Sequence, residues 1–162
     1  MKTNRFTTKD IALIGVMIAT LEVAKLSMSY LPNIELVTLL VILYTLFFGK
    51  RIYFVLAAFV LIEGCIYGFG TWWFMYLYVW PLLAFLTNLF RKQQSVWFWS
   101  IFSAAYGLCY GAFCSITYIF ISGFHGAFAY WIAGIPFDVI HCISNFILCM
   151  ILFVPLRRVM RA

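Results

Sequence analysis

Charged side chains are scarce in this sequence. They make up 10% of its 162 residues, whereas 66% are hydrophobic, and the mean hydropathy is +1.04. A soluble domain of this size cannot bury so much apolar surface, because a small globular chain leaves much of its surface in water. No polar linker, low-complexity tract or break in composition divides the chain. We therefore expect a single domain over residues 1–162, with lipid as its main solvent.

Several catalytic signatures are also missing. The sequence contains no GxxxxGK[ST] phosphate loop, no GxSxG nucleophile elbow and no HExxH zinc motif. Its five cysteines lack CxxC spacing and are predicted to be small apolar residues, not a disulfide framework or a metal site. These absences favour a protein that is not an enzyme, needs no cofactor or metal, and does not itself hydrolyse ATP.

Continuous apolar runs fill most of the chain. A membrane span needs about 20 apolar residues and tolerates about 17. The runs show no alternation of polar and apolar residues, which favours helices over a barrel. We predict an all-α integral membrane bundle of six transmembrane helices, roughly at residues 11–30, 33–49, 52–67, 72–90, 96–120 and 136–155. Residues 126–135 are predicted to form a short surface or re-entrant helix, and five spans, with the second and third runs wrongly divided, is the alternative.

The basic residues predict the orientation. Of the eleven Lys and Arg residues, all except Lys25 fall on one side of a six-span bundle. They are Lys2, Arg5, Lys9, Lys50, Arg51, Arg91, Lys92, Arg157, Arg158 and Arg161. Because loops rich in Lys and Arg stay inside, both termini are predicted to be cytoplasmic. The net charge of +6 then reflects topology, and no nucleic-acid partner is expected.

In this orientation the polar residues inside the runs collect in the outer half of the membrane. A charge near the bilayer centre costs about 2.5–3.5 kcal/mol, so such residues are seldom without a role. The set comprises Glu22, Lys25, Glu35, Glu63, Asp138, His141 and Asn145. Their distribution predicts a water-accessible pocket that opens outward.

Spacing within this set leaves alternatives open. Asp138, His141 and Asn145 stand at i, i+3 and i+7 and share one helix face. Asp138 could equally be an N-cap after Pro136. Lys25 has three possible partners: Glu22 on its own helix, or Glu35 or Glu63 on another.

Aromatic and small residues form three further patterns. Trp and Tyr are dense at the start of the fourth run, where Tyr76 and Trp80 lie deeper than an interfacial belt and are better candidates for a pocket. In the fifth run, small residues recur at every fourth position, which predicts close packing of another helix; they are Ser103, Gly107, Gly111 and Ser115. In the first run, Ala12, Gly15 and Ala19 share one face that serves either internal packing or docking to another protein.

Together these features resemble the substrate-binding S components of energy-coupling factor (ECF) transporters. That family has six helices, a length close to this one and an Ala-x-x-x-Ala docking motif, which Gly15 to Ala19, preceded by Ala12, matches with one glycine for alanine. Residues 32–36, 63–70 and 134–138 are similar to uncharacterised members of the group.

The resemblance implies a function, partners and site residues. S components capture a vitamin or related micronutrient at the prokaryotic cell membrane and pass it inward with a transmembrane coupling protein and two ATPase subunits. Partner docking would use Ala12, Gly15 and Ala19. Substrate binding would use Glu63, Tyr76, Trp80, Tyr110, Asp138, His141 and Asn145.

Aromatic walls suit a flat heterocycle, and the acidic outer half favours a neutral or cationic ligand over an anion. The main alternative is a stand-alone channel or proton-coupled carrier that uses Glu22, Lys25 and His141. An intramembrane enzyme with Asp138 and His141 as acid and base, or an assembly factor without a small ligand, are the others.

Overall fold

The computed structural model describes residues 7–161, and these are all-helical, as predicted. They form six α-helices and one short 3-10 helix, with no strand. The helices are α1 (Thr8–Ser27), α2 (Val37–Phe48), α3 (Ile52–Tyr67), α4 (Thr71–Leu89), α5 (Val96–Leu108) and α6 (Tyr110–Val159), with the 3-10 turn Gly49–Arg51 between α2 and α3. Lys2 and Arg5, which the predicted charge bias includes, lie outside the described residues.

Among the first four helices, the largest single difference from the predicted limits is at the start of α2. The helix begins at Val37 and not at residue 33, because the preceding loop turns back on itself: Asn33 has a positive φ of 58°. Glu35 then accepts the backbone N–H of Thr38 at 2.8 Å, one of the amides that lack a partner within the first turn. A side chain from the loop of residues 28–36 therefore helps to fix the start of α2.

The predicted surface helix 126–135 is not a separate element, and the predicted run 96–120, which begins at Val96 as expected, contains a break. The helical run is interrupted at Cys109, where α5 ends and α6 begins. Helix α6 then bends at Gly123, whose φ of 71° and ψ of −176° only glycine adopts readily. Beyond the bend the helix continues through Pro136, so residues 126–135 belong to the same arm as the predicted run 136–155.

Helix α2 lies at the centre of the bundle. Every residue from Val37 to Thr45 is buried, and the helix contacts α1, α3, α4 and α6. A helix that is apolar on all sides is expected to be enclosed in this way.

One end of the bundle carries most of the basic residues. Arg51 Nη1 lies 2.6 Å from Asp10 Oδ1, which joins the α2–α3 turn to the start of α1. The same turn and the α4–α5 loop line one cleft, and Arg157 donates a hydrogen bond to the carbonyl of Gln94 in that loop (3.3 Å). We call this the basic end; its Lys and Arg residues are Lys9, Lys50, Arg51, Arg91, Lys92, Arg157, Arg158 and Arg161.

The start of α1 is capped at the basic end. Thr7 Oγ1 accepts the N–H of Asp10 (3.2 Å), and Asp10 Oδ2 accepts the N–H of Thr7 (3.0 Å), which forms a capping box. The N–H and the hydroxyl of Thr7 both donate to the Asp10 carboxylate (3.0 and 2.9 Å), and together with the Arg51 guanidinium they hold the pKa of Asp10 below its ordinary value.

Lys25 lies at the opposite end. It is about four turns further along α1 than Asp10, about 22 Å at 1.5 Å per residue. There it forms an ion pair with Glu63 near the end of α3. Helices α1 and α3 therefore run in the same direction. We call the end that carries Lys25, Glu63 and the loop of residues 28–36 the cavity end.

The outside of the bundle is apolar. Large aliphatic and aromatic side chains are exposed on α1, α3, α4, α5 and α6, with Ile11, Phe54, Phe85, Ile101 and Ile151 as examples. Such a surface is unusual for a soluble monomer. By length and composition, two helical stretches of the described residues, Val37–Tyr67 and Val96–Val159, are apolar enough to cross a membrane.

Candidate functional site

A cavity of about 290 Å³ opens at the cavity end, between α1, α4, α6 and the loop of residues 28–36. Four of the predicted substrate-binding residues line it together: Tyr76, Trp80, Tyr110 and His141. Lys25 and Glu35 also line it. We call it the aromatic cavity.

Its wall is a continuous series of aromatic contacts. Tyr76 meets Trp80 edge to face with ring centroids 5.5 Å apart, Trp80 lies 5.9 Å from Tyr110, and Tyr110 lies 5.0 Å from His141. Tyr76 and Trp80 are one turn apart on α4, whereas the other two come from the two arms of α6. The buried indole N–H of Trp80 has no hydrogen-bond partner among the described residues. It is therefore free to donate to a bound molecule.

The polar groups of the aromatic cavity are held in place by bonds between distant parts of the chain. Glu35 Oε1 lies 3.0 Å from His141 Nε2 and is also contacted by the hydroxyl of Thr38. Ser144 Oγ donates to the carbonyl of Asn33 at 2.9 Å. These bonds fasten the loop of residues 28–36 to α6. Glu35 was not among the predicted binding residues, although its place just before an apolar run, in the outer half, marked it as a candidate.

Lys25 stands at the rim of the aromatic cavity. Its ammonium group pairs with Glu63 and lies over the rings of Tyr67, Trp72 and Tyr76, with centroid distances of 4.9, 5.6 and 5.2 Å. Such placement favours a cation electrostatically. Of the three partners considered for Lys25, the structure selects Glu63.

Glu63 does not line the aromatic cavity. Its side chain is fully buried behind Lys25. Its Oε1, like Oε1 of Glu22, is buried with no hydrogen-bond partner within residues 7–161. Glu63 thus contacts a residue that lines the aromatic cavity, Lys25, but does not line the cavity itself.

A second cavity, of about 370 Å³, lies between the two arms of α6. It shares Asn33 and Tyr110 with the aromatic cavity and is also lined by Gly111, Tyr130 and Asp138. The two cavities are therefore neighbours with a common wall. We call this one the Asp138 cavity.

Asp138 caps a helix, but not the one that the sequence suggested. It lies within α6, where Pro136 does not interrupt the helix, so it is no N-cap of its own segment. Instead its Oδ1 accepts the N–H of Gly111 at 2.9 Å, in the first turn of α6 after the break at Cys109. Its Oδ2 is buried and has no hydrogen-bond partner in the described part of the chain.

Asn145 lies outside both cavities. It is buried between α5 and α6, and its amide donates to the carbonyl of Ser103 at 3.4 Å. The shared face of Asp138, His141 and Asn145 therefore runs from the cavities down into the helix interface. In this position Asn145 joins two helices.

The small residues of the predicted fifth run pack against the last arm of α6. A Cβ atom added at Gly107 would lie 2.9 Å from the carbonyl oxygen of His141, and one added at Gly111 would overlap the carboxyl group of Asp138. Close packing at these two positions is as predicted.

The small residues of α1 behave differently. Ala12, Gly15 and Ala19 are all exposed, and a Cβ atom added at Gly15 would meet nothing within 4 Å. Packing among the described residues therefore does not account for the stripe.

The described residues contain no group of three or more His, Cys, Asp or Glu that could hold a metal ion, and the five cysteines are free thiols. No protein-family model matches the chain, and no curated protein or solved structure is significantly similar to it.

Proposed function

We propose that the chain crosses the membrane of a prokaryotic cell six times, with the basic end and both termini in the cytoplasm. The apolar exterior and the collection of Lys and Arg at one end support this topology. The second arm of α6 would supply the last crossing, and α5 with the first arm of α6 the fifth. The cavity end then faces outward.

We further propose that the protein captures a small molecule from outside as the S component of an ECF-type, ATP-driven importer. The observation that carries this proposal is the aromatic cavity at the end opposite the basic residues. Ligand sites are typically apolar hollows of about 300–1,000 Å³ with a few fixed polar groups. A cavity of about 290 Å³ with a neighbour of about 370 Å³ matches that size. The chain would bind and position its ligand without catalysing a reaction.

The exposed stripe of Ala12, Gly15 and Ala19 suits the docking role that the resemblance implies. Small residues let a second helix approach closely within a membrane. Because none of residues 7–161 covers the stripe, a transmembrane coupling protein could pack there.

Affinity purification of the tagged chain from its native host in mild detergent tests the proposal. We expect a transmembrane coupling protein and two ATPase subunits to co-purify, and mass spectrometry of the bound small molecules to identify the substrate. Recovery of the chain alone in several detergents would contradict the importer.

The docking surface has its own prediction. Gly15→Leu combined with Ala19→Leu should abolish recovery of the coupling protein, because the added side chains hold a second helix away. Ligand binding should remain, since both positions point away from the cavities. Ala57→Leu combined with Ala129→Leu, exposed alanines of α3 and α6, is the matched control. Wild-type recovery of partners with the α1 double variant would show that docking occurs elsewhere.

A proton-coupled carrier is the second candidate, favoured by the buried, unpartnered Oε1 of Glu22 close to Lys25. However, Lys25 pairs with Glu63 and His141 with Glu35, so the three proposed relay residues belong to separate contacts. Uptake by the purified chain alone in proteoliposomes, driven by a pH gradient, would support this candidate over the importer.

A further inference from the structure

Asp138, which lines the Asp138 cavity, has one carboxylate oxygen, Oδ2, without a hydrogen-bond partner among the described residues. Asp138 is 5% exposed and lines the cavity, and only its Oδ1 is bonded, to the N–H of Gly111. Burying a carboxylate oxygen without a hydrogen-bond partner is unfavourable in a low-dielectric interior, so such a group calls for an explanation, and a bound ligand is one. The missing partner must be a hydrogen-bond donor if the carboxylate is charged.

Of the carboxylates that line the two cavities, Glu35 is bonded to His141 and Thr38. Glu22 and Glu63 also have a buried Oε1 with no hydrogen-bond partner among the described residues, but neither residue lines either cavity. A donor on the ligand would thus find its vacant acceptor in the Asp138 cavity and not in the aromatic cavity.

The two cavities share part of their lining, so one ligand could occupy both. Tyr110 and Asn33 line both, and Asp138 and His141 are one turn apart on α6, with Cβ atoms about 5–6 Å apart at that spacing. A planar ring against Tyr76, Trp80 and Tyr110 would therefore place a substituent within reach of Asp138.

We propose that Asp138 is a second subsite for a cationic N–H donor, an ammonium or amidinium group, on a planar ligand whose ring occupies the aromatic cavity. This inference rests on the proposed capture function and specifies its ligand class. The carboxylate accepts a charge-assisted hydrogen bond. It lies directly against Gly111, where a Cβ atom would overlap it, so glycine at this position lets the carboxylate fit.

The test uses the purified full-length chain in detergent and three probes of the same shape. Naphthalene-2-carboxamidine, 2-naphthamide and 2-naphthoate share a ring and a trigonal head group but are cationic, neutral and anionic. Isothermal titration calorimetry measures each Kd. We expect the amidine to bind wild-type protein about 10- to 100-fold more tightly than the amide, the range for a hydrogen bond to a charged group.

Asp138→Asn should abolish this preference. Its Oδ1 can still accept the N–H of Gly111, whereas its amide nitrogen replaces the vacant acceptor by a donor. Unchanged affinity for 2-naphthamide would show that the variant is folded and the aromatic cavity intact. Glu22→Gln is the matched control. Oε1 of Glu22 is likewise buried without a hydrogen-bond partner among the described residues, but Glu22 lines neither cavity, so this variant should keep the preference for the amidine.

Three results would overturn the proposal: no preference for the amidine in the wild-type protein, a preference that survives Asp138→Asn, or one that Glu22→Gln abolishes to the same extent as Asp138→Asn. These outcomes are separate from the fate of the importer. A chain that prefers the amidine but recovers no ATPase contradicts the importer alone. One that recovers its partners without the preference contradicts the Asp138 subsite alone.

Discussion

Replacing Lys25 by Met is expected to lower the free energy of unfolding by about 3 kcal/mol, the lower end of the cost of removing one partner from a buried ion pair. The reason is that Glu63 is fully buried and has no other charged partner in the described structure, while Lys25 is 28% exposed. Thermal unfolding of the purified protein in detergent measures the effect.

The double variant Lys25→Met with Glu63→Gln is the matched control. It removes both charges and keeps both shapes, so most of the lost stability should return. If the single variant unfolds at the wild-type temperature, the pair does not stabilise the cavity end. A double variant no more stable than the single one would show that the contacts of Lys25 with Tyr67, Trp72 and Tyr76 matter more than its pairing with Glu63.

Gly107→Ala is expected to destabilise the protein by about 1–3 kcal/mol, the usual cost of overpacking a close contact. The added Cβ would lie 2.9 Å from the backbone carbonyl of His141, so α5 and α6 must separate. Because His141 lines the aromatic cavity, ligand affinity should fall together with stability.

Gly134→Ala provides the control, because a Cβ atom there meets nothing within 4 Å. Alanine favours a helix over glycine by about 1 kcal/mol, so this variant should be as stable as the wild type or more so. Equal destabilisation by the two substitutions would mean that loss of glycine itself, and not the α5–α6 contact, is responsible.

Several features were predictable from the sequence because they depend on neighbouring residues alone. Gly49 and Gly68, both with positive φ, end apolar runs, and α3 begins and ends where the run 52–67 does. Gly107 and Gly111 predicted a close contact with another helix, because small residues four positions apart lie on one helix face.

Other features were missed because they depend on packing. Glu35 and His141 are separated by 106 positions in the sequence, and no local pattern joins them. The spacing of Asp138, His141 and Asn145 predicts a common face but not its depth. Asn145 lies about 6 Å further along α6 than His141 and meets α5 instead of a cavity.

The sequence by itself determined the helices, the apolar exterior and the separation of the basic residues, because hydropathy, helix period and glycine or proline breaks act over short stretches of chain. Only the tertiary structure decided which partner Lys25 takes, that Asp138 caps the start of the helix to which it belongs, and that Tyr76, Trp80, Tyr110 and His141 share one cavity. The physical reason is that these contacts depend on the rotation and register of each helix. Those are set by the simultaneous packing of all the helices, which no single segment encodes.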